Sequence, residues 1–169
     1  MARVQPGRYS ADHEGEVVVF LIGMRVNHLW KVHKWLPTAM AMGPMLRELL
    51  AHPEKGMLGN ERFLRGRTVL QVMYWRSFED LERFARTPDD PHLPAWREFN
   101  RRVGTSGDVG IYHETYAVAA GASETIYNNM PAFGLAKALG SVPVARKGQA
   151  ARFRMERSGT DEPAEPVPA

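Results

Sequence analysis

Residues 16–26, EVVVFLIGMRV, divide by alternation into two sets that are both largely apolar. Val18, Phe20, Ile22, Met24 and Val26 fall on one side, and Val17, Val19, Leu21, Gly23 and Arg25 on the other. The pattern predicts a strand, and one that is covered on both faces. From there to residue 51 the period becomes helical, with Met42, Met45, Leu46, Leu49 and Leu50 at i, i+3, i+4, i+7 and i+8. Pro37 and the Gly43-Pro44 pair predict breaks that divide this stretch into segments. After the HPEKG turn, MLGNERFLRGRTVLQVMYW reads as a hairpin with Arg65-Gly66-Arg67 at its turn. Ser77 followed by Asp80 is a capping-box variant, and the helix it opens is predicted to turn Phe78, Leu81 and Phe84 inward. RTPDDP interrupts. Ala95 to Val103 resumes as a helix with Trp96, Phe99 and Val103 on one stripe and Gly104 as its stop. DVGIYHETYAV is a fourth strand, ETIYNNM reads as a fifth, and PAFGLAKALG as a short closing helix.

The order is β-α-β-β-α-β with additions at both ends, which is the α+β ferredoxin-like sandwich. Helices cover one side of such a sheet. An apolar second face then requires a partner, most simply the same sheet of another chain, so a homodimer through the sheet is expected. One domain is expected over residues 1–157, with N- and C-terminal extensions. The last twelve residues, SGTDEPAEPVPA, have the composition of a disordered tail over 158–169.

Composition narrows the chemistry. The 169 residues contain no cysteine, which excludes disulfides, thiolate nucleophiles and cysteine-ligated metals. The formal charge is +3 with basic and acidic residues interleaved, so no nucleic-acid surface is expected. The N-terminal segment lacks an apolar signal region and the apolar runs fall short of a membrane span; a cytoplasmic protein without membrane contact is expected. NHLWKVHKWLP, residues 27–37, concentrates two histidines, two lysines and two tryptophans. His28 and His33 are about 140° apart on a helix and on opposite faces of a strand, so they form no chelating pair. The stretch reads as an amphipathic helix start with aromatic anchors, in which His33 stays open as a lone site residue.

GMLGNERFLRGRTVLQVMYWRSFEDLERFARTPDDPHLPAWREF resembles the core of the antibiotic-biosynthesis monooxygenase type of dimeric α+β barrel: a hairpin ends in Trp75-Arg76-Ser77 and a helix, with His92 and Trp96 after a short break. RVNHLWKVHKWLP, HLPAWREFN, GDVGIYHETY and IYNNMPAFGL are similar to the bacterial relatives of a fumagillin-pathway monooxygenase, a family long catalogued as a domain of unknown function. The likeness runs from about Gly7 to about Met155. It implies a monooxygenase-like oxidoreductase acting on an aromatic or polyketide-like small molecule and O₂, in a pocket between sheet and helices. Members of that group can work without metal or flavin, the substrate itself giving an electron to O₂ once deprotonated. The same barrel hosts haem-dependent chemistry, aldoxime-dehydratase-like enzymes and non-catalytic ligand-binding proteins, and these are the alternatives. Asn27, at the end of the first strand, resembles the strand-end asparagine that holds oxygen atoms in several members. Phe84 stands where haem-degrading members carry a tryptophan.

The expected site therefore has His92 and Asn27 as catalytic residues, with Trp75, Trp96, Phe84, His113 and His33 around the substrate. His92 is either an exposed histidine at a helix start or a base. His113 reads as a buried, hydrogen-bonded strand histidine or a ligand. No cofactor is expected. If haem is present, His92 or His113 is its ligand. The methionines near residues 40–45 read as adaptable core.

Overall fold

The computed structural model describes residues 3–87 and 92–156. In chain order its elements are β1 (Gln5–Ala11), β2 (Val17–Val26), α1 (Val32–Ala51), β3 (Met57–Arg65), β4 (Thr68–Trp75), α2 (Phe78–Arg86), α3 (His92–Arg102), β5 (Val109–Val118), β6 (Tyr127–Met130), α4 (Gly134–Leu139), β7 (Ser141–Pro143) and α5 (Ala151–Glu156). Two compact units divide the chain: Val18–Tyr116, and the described residues within Met1–Val17 and Ala117–Ala169.

The larger unit is the ferredoxin-like α+β sandwich that the element order predicts. Its four strands lie in the order β3-β4-β2-β5. β2 and β4 run antiparallel from Val18 opposite Trp75 to Arg25 opposite Thr68, and β3 pairs antiparallel with the other edge of β4. Alternation along β2 sends Val18, Phe20 and Ile22 toward the helices, where they pack with Met42, Met45, Leu46 and Leu49 of α1, Met73 and Trp75 of β4, and Leu81 and Phe84 of α2. The opposite sheet face carries Val19, Leu21, Leu70 and Val72, all part-exposed within the chain. Tyr112 of β5 lies across Gly23 on that face, so close that a Cβ on Gly23 would stand 2.2 Å from the ring.

Helix α1 departs from expectation. It runs unbroken over 20 residues with Pro37 and Pro44 inside it, so the predicted breaks do not occur. Each proline removes one i→i−4 hydrogen bond, leaving the carbonyls of His33 and Met40 without that partner. His33 and Met40 are exposed residues, while the buried side of the helix keeps Leu46 and Leu49 in the core. Packing of the helix on the sheet thus outweighs the two lost bonds.

α2 begins as its sequence directs, with Ser77 Oγ accepting from the Asp80 backbone N–H at 3.1 Å. Leu81 and Phe84 are buried, but Phe78 is half exposed. Six residues place Phe78 and Phe84 about 120° apart around a helix, too far for one stripe. α3 starts at His92, three residues before the predicted Ala95. Pro94 is tolerated because it falls in the first turn, where N–H groups have no intrahelical acceptor. Asp90 and Pro91, which precede this helix in the sequence, lie outside the described residues, as does the 158–169 tail.

The smaller unit holds a second antiparallel sheet in the order β6-β1-β7. The expected fifth strand and closing helix are β6 and α4. β1 and β7, which complete this sheet, were not anticipated from the sequence. Among the described residues no helix is long and apolar enough to cross a membrane.

Candidate functional site between the sheet and its helices

α1 does not close down on the whole width of the sheet, and three cavities follow its inner side. The largest, about 280 Å³, lies between α1 and the β3-β4-β2 half of the sheet, with Met24, Thr38, Met42, Leu64 and Val69 in its walls. A second, about 90 Å³, lies between α1 and α3 and is lined by Pro37, Met45, His92, Trp96 and Phe99. The third, about 40 Å³, sits deepest, against Met73, Trp75, Leu81, Phe84 and His92. Ile22 lines all three, so one β2 side chain stands where they meet.

His92 links the second and third cavities. Its Nδ1 lies 3.1 Å from the Ala85 carbonyl oxygen. A carbonyl only accepts, so Nδ1 must carry the proton and donate, and the neutral ring keeps its lone pair at Nε2. The ring sits 6.2 Å from Phe84, which in turn lies 5.8 Å from Trp75. Trp75 is 1% exposed and its Nε1–H has no acceptor among the described residues. A buried donor without a partner is uncommon in native proteins, and this one belongs to a side chain that lines the cavity shared with His92. Trp96 stacks on Phe99 at 5.5 Å and is 45% exposed, forming an outer wall of the second cavity. Glu98, also at that cavity, accepts from Arg101 and from Arg102, and these two bonds, Arg101's first, hold its carboxyl down at about 2. Such a carboxylate is too weak a base to take a proton near neutrality, which leaves that role to the imidazole.

The structure thus gathers Trp75, Phe84, His92 and Trp96 around two adjoining cavities. Asn27, His33 and His113 line none of the three. Asn27 donates its amide Nδ2–H to the Gly107 carbonyl at 2.9 Å, and its backbone N–H goes to the Asp108 carbonyl at 3.0 Å. His33 is exposed on the first turn of α1. His113 is exposed on the edge strand β5, 5.8 Å from Phe20, where a buried, hydrogen-bonded ring was expected. An edge strand has a neighbour on one side only, so its side chains are less enclosed.

What the 27–37 segment builds was missed in the sequence, because its partner is distant in the chain. Asp108, 1% exposed, accepts from His28 Nδ1 at 2.8 Å, Lys31 Nζ at 2.8 Å and Lys34 Nζ at 2.6 Å. The hydrogen bonds from Lys31, then Lys34, hold its carboxyl far below the usual carboxylate range against the opposing effect of burial. Trp35 Nε1 donates to the Leu29 carbonyl at 2.9 Å. The segment is a charged clamp fastening the start of α1 to the start of β5. Among the described residues no cluster of three or more histidines or carboxylates is placed to hold a metal ion.

A ferredoxin-like sheet with an apolar, histidine-edged pocket beneath its helices defines the class of protein. Its family model is monooxygenase af470-like, which matches residues 17–135, and the chain belongs to that family. It is 30% identical over 125 residues to monooxygenase af470 of Aspergillus fumigatus, a match covering 69% of this chain and 44% of that one. Among solved structures it is similar to an aldoxime dehydratase in complex with butyraldoxime (TM-score 0.63, 18% identity, 77% of this chain and 41% of that one). A second aldoxime dehydratase superposes with a TM-score of 0.58 at 21% identity, over 77% of this chain and 42% of that one. These two likenesses concern the fold. The chain spans less than half the length of each of these three relatives.

Proposed function

We propose that the protein is a small-molecule monooxygenase, an oxidoreductase acting on an aromatic or polyketide-like substrate and O₂ between the sheet and the helices. The observation that carries this reading is the His92 imidazole, fixed by Ala85 as the Nδ1–H tautomer at the junction of two apolar cavities. Its Nε2 takes a proton from an acidic O–H or C–H of the substrate. Trp75 Nε1–H, buried and without an acceptor among the described residues, supplies a hydrogen bond to the oxygen on which negative charge then develops. The electron-rich anion reduces O₂. An activated CH₂ plus O₂ yields C=O plus H₂O, so the reaction balances without an external reductant. Asn27, committed to the Gly107 turn, acts as a positioning residue for the end of β2.

Oxygen consumption against a panel of phenolic and polyketide-like compounds tests the assignment. Turnover is expected with at least one of them and is expected to be lost in His92→Ala. Turnover unchanged in that variant overturns the role of His92.

In the reading adopted here the reaction uses no cofactor. Haem bound by His92 or His113 is the alternative for this barrel. The spaces beside His92, about 90 and 40 Å³, are far too small for a tetrapyrrole with their side chains in place, which counts against haem at His92. The purified protein is expected to be colourless. A Soret band after expression with adequate iron, lost in His92→Ala or His113→Ala, would name the ligand and displace this reading.

A further inference from the structure

The cavity of about 280 Å³ has, among the described residues, one cationic side chain in its wall, and the geometry points to a use for it. We propose that Arg62 is the anchor for a carboxylate or similarly acidic oxygen group at one end of an otherwise apolar substrate. The site deepens the monooxygenase reading by naming the substrate class, and it rests on that reading only for its connection to turnover.

Arg62 of β3 stands directly opposite Gln71 of β4. Gln71 is 1% exposed, a buried amide in a wall that is otherwise mostly aliphatic. Turning the Gln71 amide so that Oε1 faces the guanidinium lets it accept from Arg62 Nε at 2.7 Å and Nη2 at 3.1 Å, while its Nε2 donates to the Glu61 carbonyl at 3.3 Å and faces the Asn60 side-chain amide at 3.1 Å, which turns with it to present its oxygen. Two of the five guanidinium N–H groups are thereby occupied, and three remain. Among the described residues no carboxylate lies within ion-pair distance of Arg62. Gln71 holds the planar fork without neutralising it, since an amide oxygen carries no net charge.

A guanidinium braced by a buried neutral group, at the rim of an apolar cavity, is suited to bidentate recognition of a planar anion. The apolar body of such a ligand would lie on Met42, Leu64 and Val69 and extend past Ile22, the residue common to all three cavities, toward His92. The acidic group is then a handle remote from the carbon that reacts. A lysine could not be held in this way, because its single ammonium offers no planar pair of donors.

Binding, measured without turnover, tests the proposal. Anthraquinone-2-carboxylate and its neutral analogue anthraquinone-2-carboxamide are titrated against the full chain, with quenching of tryptophan fluorescence as the signal; Trp75 and Trp96 line the adjoining cavities. The carboxylate is expected to bind about 10- to 100-fold more tightly than the carboxamide, the range for a hydrogen-bonded charge. Arg62→Met is expected to abolish that preference by weakening the carboxylate far more than the carboxamide, and Arg62→Lys to retain part of it. Because Arg62 is exposed, neither change removes core packing. Equal affinity for the two probes, no saturable quenching by either, or a preference that survives Arg62→Met would each overturn the anion site. An anion preference without oxygen uptake on any substrate would leave this site standing and remove the monooxygenase reading. Uptake without the preference would do the reverse.

Discussion

A histidine can serve as a base at neutral pH only if its ring presents a lone pair, and in this protein one backbone carbonyl settles which nitrogen does. Losing a positioned general base costs about 10²- to 10⁴-fold, so kcat on the best substrate is expected to fall by that range in His92→Ala. Trp75→Phe keeps a large aromatic ring in the core but deletes the unsatisfied N–H. It is expected to lower kcat by about 10²- to 10³-fold, the usual effect of one donor to a developing anion, with KM changing less. Asp108 gives a prediction about pH. Its folded-state carboxyl is held well below an unfolded aspartate's value of about 3.9, so the folded form binds the proton less readily. The resulting stability is fully present above about pH 4 and is lost as the pH falls through the depressed value. Denaturant midpoints measured from pH 7 to pH 2 should therefore drop on acidification, with a shallower drop in Asp108→Asn. Identical profiles in the two proteins would remove Asp108 as a contributor.

At the scale of elements, the sequence is most informative where one periodicity rules a long segment and least where distant residues decide. β2, the β3-β4 hairpin, the Ser77 cap and the β-α-β-β-α-β succession are legible because alternation, turn residues and capping chemistry all act within a few positions. α1 is misread at its prolines, since the compensation comes from Leu46 and Leu49 packing on a sheet that the local rule does not see. β1 carries Pro6-Gly7 and β7 has three residues, so neither holds enough alternation to register as a strand before the other exists. In the site, Trp75, Phe84, His92 and Trp96 follow from the resemblance and the helix spacing. The pairings of Asp108 with the 27–34 segment, and of Gln71 with Arg62, depend on the register of the finished sheet. Gly56 offers a test at this scale. It joins a 3₁₀ turn to β3 at φ 94°, and a Cβ there would stand 2.4 Å from Asp80 Oδ2. Gly56→Ala is expected to destabilise by more than about 1 kcal/mol in chemical denaturation, since both the backbone and the space are unfavourable.

For the molecule as a whole, the sheet divides its work by face. Phe20 and Ile22 look toward the cavities, and Val19, Leu21, Leu70 and Val72 look the other way from a surface that is only part-covered within the chain. We expect this second face to meet its counterpart in a homodimer, with Val72→Glu giving a monomer in sedimentation at micromolar concentration; a wild-type monomer under those conditions would defeat the expectation. The division also bears on cooperativity. Each cavity would be completed by one chain alone, and the two would point away from each other across a double layer of strands whose mean spacing is about 10 Å. With two sheets between them, occupying one is expected to leave the other unchanged. Binding should proceed with one ligand per chain and a Hill coefficient of about 1, and Val72→Glu should leave affinity untouched even as it halves the particle mass.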